Sequence, residues 1–140
     1  MLIPRRILVT GSRDWLDRNA VFMALSVQVV GVANPVIVHG GATGADAIAA
    51  EYAARHPRCT PEEHLAEWEK PCGTGCYHRP RFKNGKPYCP LQGHFRNQKM
   101  VDLGADVCLA FPLGESRGTR DCMKRAKRAG IPVFNFGDKE

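Results

Sequence analysis

Pro35-Val-Ile-Val-His39-Gly-Gly-Ala-Thr-Gly44-Ala-Asp46 passes from an unbroken apolar run through a glycine turn into an alanine-rich segment that continues to Arg55. Pro35 to His39 reads as a strand buried on both faces, because a short apolar run bounded by turn signals leaves no face for water. Ala45 to Arg55 reads as a helix that ends before His56-Pro57. Outward from this unit the same order recurs. Arg6-Ile-Leu-Val-Thr10 is a strand that stops at Gly11-Ser12-Arg13. A helix from Leu16 to Val30 follows, with Leu16, Ala20, Met23, Ala24 and Val27 at helical spacing and Asp14 or Asp17 as its cap. Ala105 to Phe111 is a further strand, Gly118 to Ala129 a helix, and Gly130 to Phe136 a last strand. Strands and helices alternating through glycine turns predict an α/β fold, a parallel sheet covered on both faces in three layers.

The chain of 140 residues is 24% charged and 44% hydrophobic, which suits a single domain over residues 1–140 and excludes a disordered chain. Polar and Gly-Pro interruptions in the longest uncharged stretch, Asn19 to Ala45, exclude a membrane span. The Arg5-Arg6 pair leads into too short an apolar run for a signal peptide, so the expected compartment is cytoplasmic. The net charge of +6 is local. Residues 71–101 carry 6 Lys or Arg and no Asp or Glu, while the flanking segments nearly balance. A local excess points to a polyanion docking at one place, or to a solvated basic loop.

The middle of the chain is harder to read. Thr60-Pro-Glu-Glu63 resembles a helix start, but the topology asks for a strand, and a short one is expected between Glu62 and Trp68. Pro71 to Pro90 lacks periodicity and reads as a Cys-rich inserted loop at 70–92; a helix resumes from His94 to Leu103. Cys72, Cys76, His78 and Cys89 supply three thiols and an imidazole, the number a closed tetrahedral Zn²⁺ site requires. Metal binding would order a loop that has little apolar surface to bury. Reduced thiols or a disulfide are the alternatives, with His94, His64 and Cys59 as reserve ligands. Cys108, inside an apolar strand, reads as core. Trp68, Tyr77, Phe82, Tyr88 and Phe95 interleave with Arg79, Arg81, Lys83 and Lys86, the mixture that single-stranded nucleic acid binding uses; packing of the insertion onto the body is the plain alternative.

In a parallel sheet the ligand crevice lies beyond the carboxyl ends of the strands. Three loops belong to that edge: Gly11-Ser12-Arg13, Gly40-Gly41-Ala-Thr43-Gly44-Ala-Asp46, and Gly114-Glu-Ser116-Arg117-Gly118-Thr119. Glycines, helix N-termini and hydroxyls together suit a phosphate. Arg96-Asn97 opens the helix after the insertion, either as cap and surface charge or as phosphate and sugar contacts. The pattern is neither a Walker A loop nor a GxGxxG fingerprint.

Gly11-Ser-Arg-Asp14, His39-Gly-Gly-Ala-Thr-Gly-Ala-Asp46, Ala66-Glu-Trp68, Arg96-Asn-Gln-Lys-Met100, Gly104-Ala-Asp106, Ala110-Phe-Pro112 and Ser116-Arg-Gly-Thr119 stand in the order seen in the YspA-type (cpYpsA-related) branch of the SLOG superfamily. The chain resembles that branch outside Lys70 to Gln92. The resemblance implies a Rossmann-like domain, found in bacteria and phages, that binds a nucleotide or nucleotide-derived ligand. Gly11 to Arg13, Gly40 to Asp46, Arg96, Asn97 and Ser116 to Thr119 would line the pocket. The superfamily also holds the LOG phosphoribohydrolases, which split nucleoside monophosphates with an Arg and a Glu. Arg96 and Asp121 match those positions, Asp121 being one methylene shorter; a first-turn residue favoured by the helix dipole is the other reading of Asp121. The DNA-processing protein DprA, a third relative, implies single-stranded DNA as an alternative partner. Relatives that pair as dimers make a homodimer through Val21 to Val32 a further expectation.

Overall fold

The computed structural model describes residues 4–70, 76, 78, 79 and 81–138. Strands β1 (Arg5–Gly11), β2 (Pro35–His39), β3 (Thr60–Glu63), β6 (Val107–Phe111) and β7 (Val133–Asn135) form a parallel sheet in the order β3-β2-β1-β6-β7. Helices α1 (Arg18–Val29) and α2 (Ala45–Arg55) cover one face, and α3 (Gln92–Asp102) and α4 (Arg117–Arg128) the other. Alternation along the strands assigns the side chains. Ile7, Val9, Ile37, Leu109 and Phe111 meet α1 and α2, whereas Leu8, Val36, Val38 and Cys108 meet α3 and α4. The chain runs outward from β1 through β2 to β3, then returns to β6 on the other side of β1. The β1–β6 junction is therefore the topological switch point, where a crevice opens. The α/β, Rossmann-like reading holds.

Three elements depart from the sequence reading. The apolar stripe read on α1 is only partly inward: Leu16, Met23 and Val27 are 90%, 70% and 72% exposed, whereas Ala24 is buried and Ala20 packs against the core, and Val21, Leu25 and Val29 complete the buried face. Asp17 caps the helix, accepting from the Ala20 N–H, so Leu16 stands before it. The helix is apolar nearly all round, so periodicity alone could not choose the face. Arg18 at its start pairs with Glu51 of α2 and lies 4.1 Å over the Phe22 ring. Thr60–Glu63 is the strand itself, and Trp68 lies beyond it. Pro61 lacks an N–H, which an edge strand tolerates. Within the insertion, β4 (Arg81–Lys83) and β5 (Lys86–Tyr88) pair as a hairpin where a loop was expected. Its Asn84-Gly85 turn has φ of 53° and 76°, the two positive values a two-residue type I′ hairpin requires. Among the described residues no helix is long and apolar enough to cross a membrane.

Candidate functional site

A cavity of about 380 Å³ opens at the carboxyl ends of β1 and β6. Gly11, Ser12 and Arg13 from the β1–α1 turn line one side, and Ser116, Arg117, Gly118 and Thr119 at the start of α4 line the other. Arg96, Asn97 and His94 of α3 border it too, with Trp68 beside them. Ser116 has φ of 40°, a left-handed conformation uncommon for a residue with a side chain, and no side chain caps α4. The orphan amides of its first turn therefore stand at the cavity edge, with the positive end of the helix dipole.

The β2–α2 turn contributes less surface than its glycines suggest. Ala42 and Asp46 border the cavity; Gly40, Gly41, Thr43 and Gly44 do not. Gly44, at φ of 73°, lies against the backbone of Ser12 and Arg13, where a Cβ would collide with both. Ala45 donates to Ser12 O, so the two turns are stacked as one rim. Gly40 makes room for the Arg96 guanidinium, which donates to Gly40 O at 2.8 Å, His64 O at 3.3 Å and Asn97 Oδ1 at 2.9 Å. Gly114 also stands off the cavity: its N–H donates to Asp138 and its carbonyl accepts from Arg120.

Asp46 is the electrostatic centre of the rim. Its Oδ2 accepts from the N–H groups of Gly40 (3.1 Å) and Ala42 (3.3 Å), while Oδ1, fully buried, has no partner among the described residues. Burial pushes its carboxyl up to about 6, against the Ala42 N–H and the charges of Arg96 and Arg13. His39, at the end of β2, is buried, and desolvation lowers its imidazolium below the usual range; its Nδ1 accepts from Gly41 N–H.

Asp121, matched from sequence to a catalytic carboxylate, does not border the cavity. Its Oδ1 pairs with His94 Nδ1 at 3.0 Å, and its Oδ2 accepts from Asn97 Nδ2 at 3.1 Å and Arg125 Nε at 2.8 Å. Burial alone would raise its carboxyl, but the bonds from Arg125 and Asn97 and the charge of His94 and Arg125 leave it below the usual range. Asn97 also donates to Gly118 O, tying α3 to the start of α4. His94 is the cavity residue that sequence reasoning held only as a reserve metal ligand. The signal for it was available: it lies on the helix turn just before Arg96 and Asn97.

A second centre lies in the insertion. Cys76 Sγ and Cys89 Sγ are 3.6 Å apart, Cys89 Sγ and His78 Nε2 are 3.6 Å apart, and all three donor atoms lie within 4.8 Å of one another. A tetrahedral ion at about 2.3 Å from sulfur and 2.0 Å from nitrogen separates its ligands by roughly 3.5–3.8 Å, so the set fits a metal. His78 Nδ1 lies 2.7 Å from Arg79 O. Donation there leaves Nε2 as the acceptor, the tautomer that a ligating imidazole needs. Cys72, the fourth donor expected from sequence, lies outside the described residues. Cys59 is buried on the far core, and His64 pairs with Glu62. Cys108 is buried as expected, its thiol pushed well up by the bond to Cys122 and by burial.

The family model described as YspA, cpYpsA-related SLOG family matches residues 5–70. The Gene 61 protein of Mycobacterium phage D29 is 49% identical over 143 residues, covering 96% of this chain and 98% of that one. The chain belongs to the YspA, cpYpsA-related SLOG family. The matched span of this SLOG protein holds the β1–α1 and β2–α2 rim; Arg96, Asn97, Ser116 to Thr119 and the metal-competent cluster lie after it. Its fold is similar to that of DNA processing protein A from Helicobacter pylori, a structure described for its single-stranded DNA binding mode. The TM-score is 0.62 at 18% identity, covering 94% of this chain. The chain spans 65% of the length of that structure, and a likeness at this identity establishes the fold.

Proposed function

We propose that this SLOG protein binds a nucleotide or nucleotide-derived ligand, with a phosphate at the strand-end rim. The observation that carries the reading is one cavity bordered together by the first turn of α4, the β1–α1 turn, Arg96 and Asp46. Amides and Arg96 suit the anion. Mass spectrometry of small molecules released from purified protein, followed by calorimetry with the compound found, tests this. Arg96→Ala should weaken binding at least tenfold, the scale of a lost charge-assisted bond. Absence of any nucleotide affinity in the wild type overturns the reading.

The insertion is proposed to hold Zn²⁺ in a structural role, with Cys76, His78 and Cys89 as three ligands and Cys72 closing the tetrahedron as the fourth. A second functional reading, hydrolysis of the N-glycosidic bond of a nucleoside monophosphate, is favoured by the pairing of cavity-lining His94 with Asp121. In it Asp121 orients the imidazole, and His94, beside Arg96, is the group that exchanges a proton with the ligand. Release of free base, lost in His94→Ala, supports it; intact nucleotide after prolonged incubation removes it. The DNA processing protein A likeness and the basic hairpin bring single-stranded DNA into the same screen.

A further inference from the structure

Against the rim cavity the insertion builds another recess, of about 500 Å³. Arg13 and Trp68 border both, so the two are adjoining compartments that share these two side chains. The remaining wall comes from chain that the sheet rim does not supply: Glu69, and Lys83, Lys86 and Tyr88 of the hairpin. Trp68 is held in place on two sides. Its carbonyl accepts from Cys89 N–H at 2.9 Å, and its ring edge rests on Gly93, where a Cβ would come within 2.9 Å of Cη2. The indole is nevertheless 36% exposed. Among the described residues, three cations face the recess against one carboxylate, alongside two aromatic rings. That is the chemistry that takes a flat base next to a phosphate. Each compartment lies in the range of small-molecule pockets, about 300–1,000 Å³, which gives room for one nucleotide apiece rather than for a long strand.

We propose that the hairpin recess is the second-unit subsite of a dinucleotide. One nucleotide sits at the strand-end rim, and the base of the other lies against Trp68 and Tyr88. Arg13, common to both compartments, meets the joining phosphate, with Lys83 and Lys86 on the far side. This rests on the nucleotide reading of the rim and adds to it the class of ligand. It also gives the metal-competent cluster a purpose, because Cys89 follows Tyr88 directly and anchors the hairpin to the Trp68 backbone.

Calorimetry on the full chain with the four nucleoside 5′-monophosphates, the four matching 5′-phosphorylated homodinucleotides and a ten-nucleotide strand of each base tests the proposal. For at least one base the dinucleotide should bind about tenfold more tightly than the mononucleotide, the scale of one stacked base. The exposed double variant Lys83→Ala/Lys86→Ala should lose most of that gain and leave mononucleotide affinity unchanged. Equal affinities in the wild type, or a gain that survives in the variant, overturn the subsite while the rim reading stands. Absence of binding by every mono- and dinucleotide overturns both. A strand that exceeds the dinucleotide by more than roughly tenfold, beyond the statistical gain of several registers, with a steep salt dependence, overturns the two-unit ligand in favour of a strand track.

Discussion

Asp46 combines a carboxyl raised to about 6 by burial with an Oδ1 that has no partner among the described residues. Its folded-state value lies above the ordinary 3.8, so the folded chain holds the proton more firmly than the unfolded one. The stability this gives is complete below about pH 4 and is lost as pH rises through about 6. Asp46→Asn keeps an oxygen for the Gly40 and Ala42 N–H groups and cannot ionise. Relative to wild type, it should gain about 2 kcal/mol in unfolding free energy between pH 4 and pH 7.5, read from melting curves. A difference constant across that range would contradict the burial argument. Gly44→Ala is expected to be severe, because the new Cβ meets the Ser12 and Arg13 backbone and the site needs positive φ. A loss of about 2–4 kcal/mol, measured by denaturant unfolding, is expected. The sequence marked both residues as site residues. That Gly44 joins two turns rather than approaching a ligand depended on β1 and β2 lying side by side.

At the scale of elements, the hairpin is the part that the sequence concealed. An isolated two-stranded hairpin is marginal in water, and β4 and β5 are exposed along most of their length. The Cys76–His78–Cys89 cluster at its base supplies a cross-link if a metal is bound there. One equivalent of zinc per chain is therefore expected in protein purified without chelator. Its removal, or Cys89→Ser, should abolish hydrogen-exchange protection over 81–88 and leave the sheet protected. Protection unchanged after metal removal would mean that the hairpin stands without it. The turn itself was legible, since Asn84-Gly85 between β-prone residues is a hairpin signal; the surrounding Pro and Gly residues hid it. The α1 face was not legible, because a helix with apolar residues nearly all round shows its buried side only once Val21, Leu25 and Val29 pack against the sheet and α2.

Across the whole molecule, Arg6 binds the sheet together. Its guanidinium donates to both oxygens of Glu62 at 2.8 and 2.6 Å and to Gly104 O at 2.7 Å, linking β1 to the edge strand β3 and to the loop before β6. The bond from Arg6 holds the Glu62 carboxyl down at about 2, with help from His64. Here the folded value is depressed. The stabilisation is complete above the ordinary 4.5 and disappears as pH falls toward 2. Glu62→Gln should cost roughly 1 kcal/mol at pH 7, and the difference should shrink as pH falls from about 4.5 through about 2, a convergence that acid titration of the two melting curves would reveal.

Residue order alone determined the buried strands, the helices after them and the glycine turns between, because burial periodicity and turn chemistry are local. It also determined the family and the donor types of the insertion. The tertiary structure decided which groups meet. Arg96 reaches Gly40 across 56 residues of sequence, Asp121 turns to His94 instead of the cavity, and Trp68 borders two compartments. Those encounters follow from the strand order β3-β2-β1-β6-β7, which brings distant loops to one edge. Local patterns say where the elements run; only the packed sheet says which face of each is buried and against what.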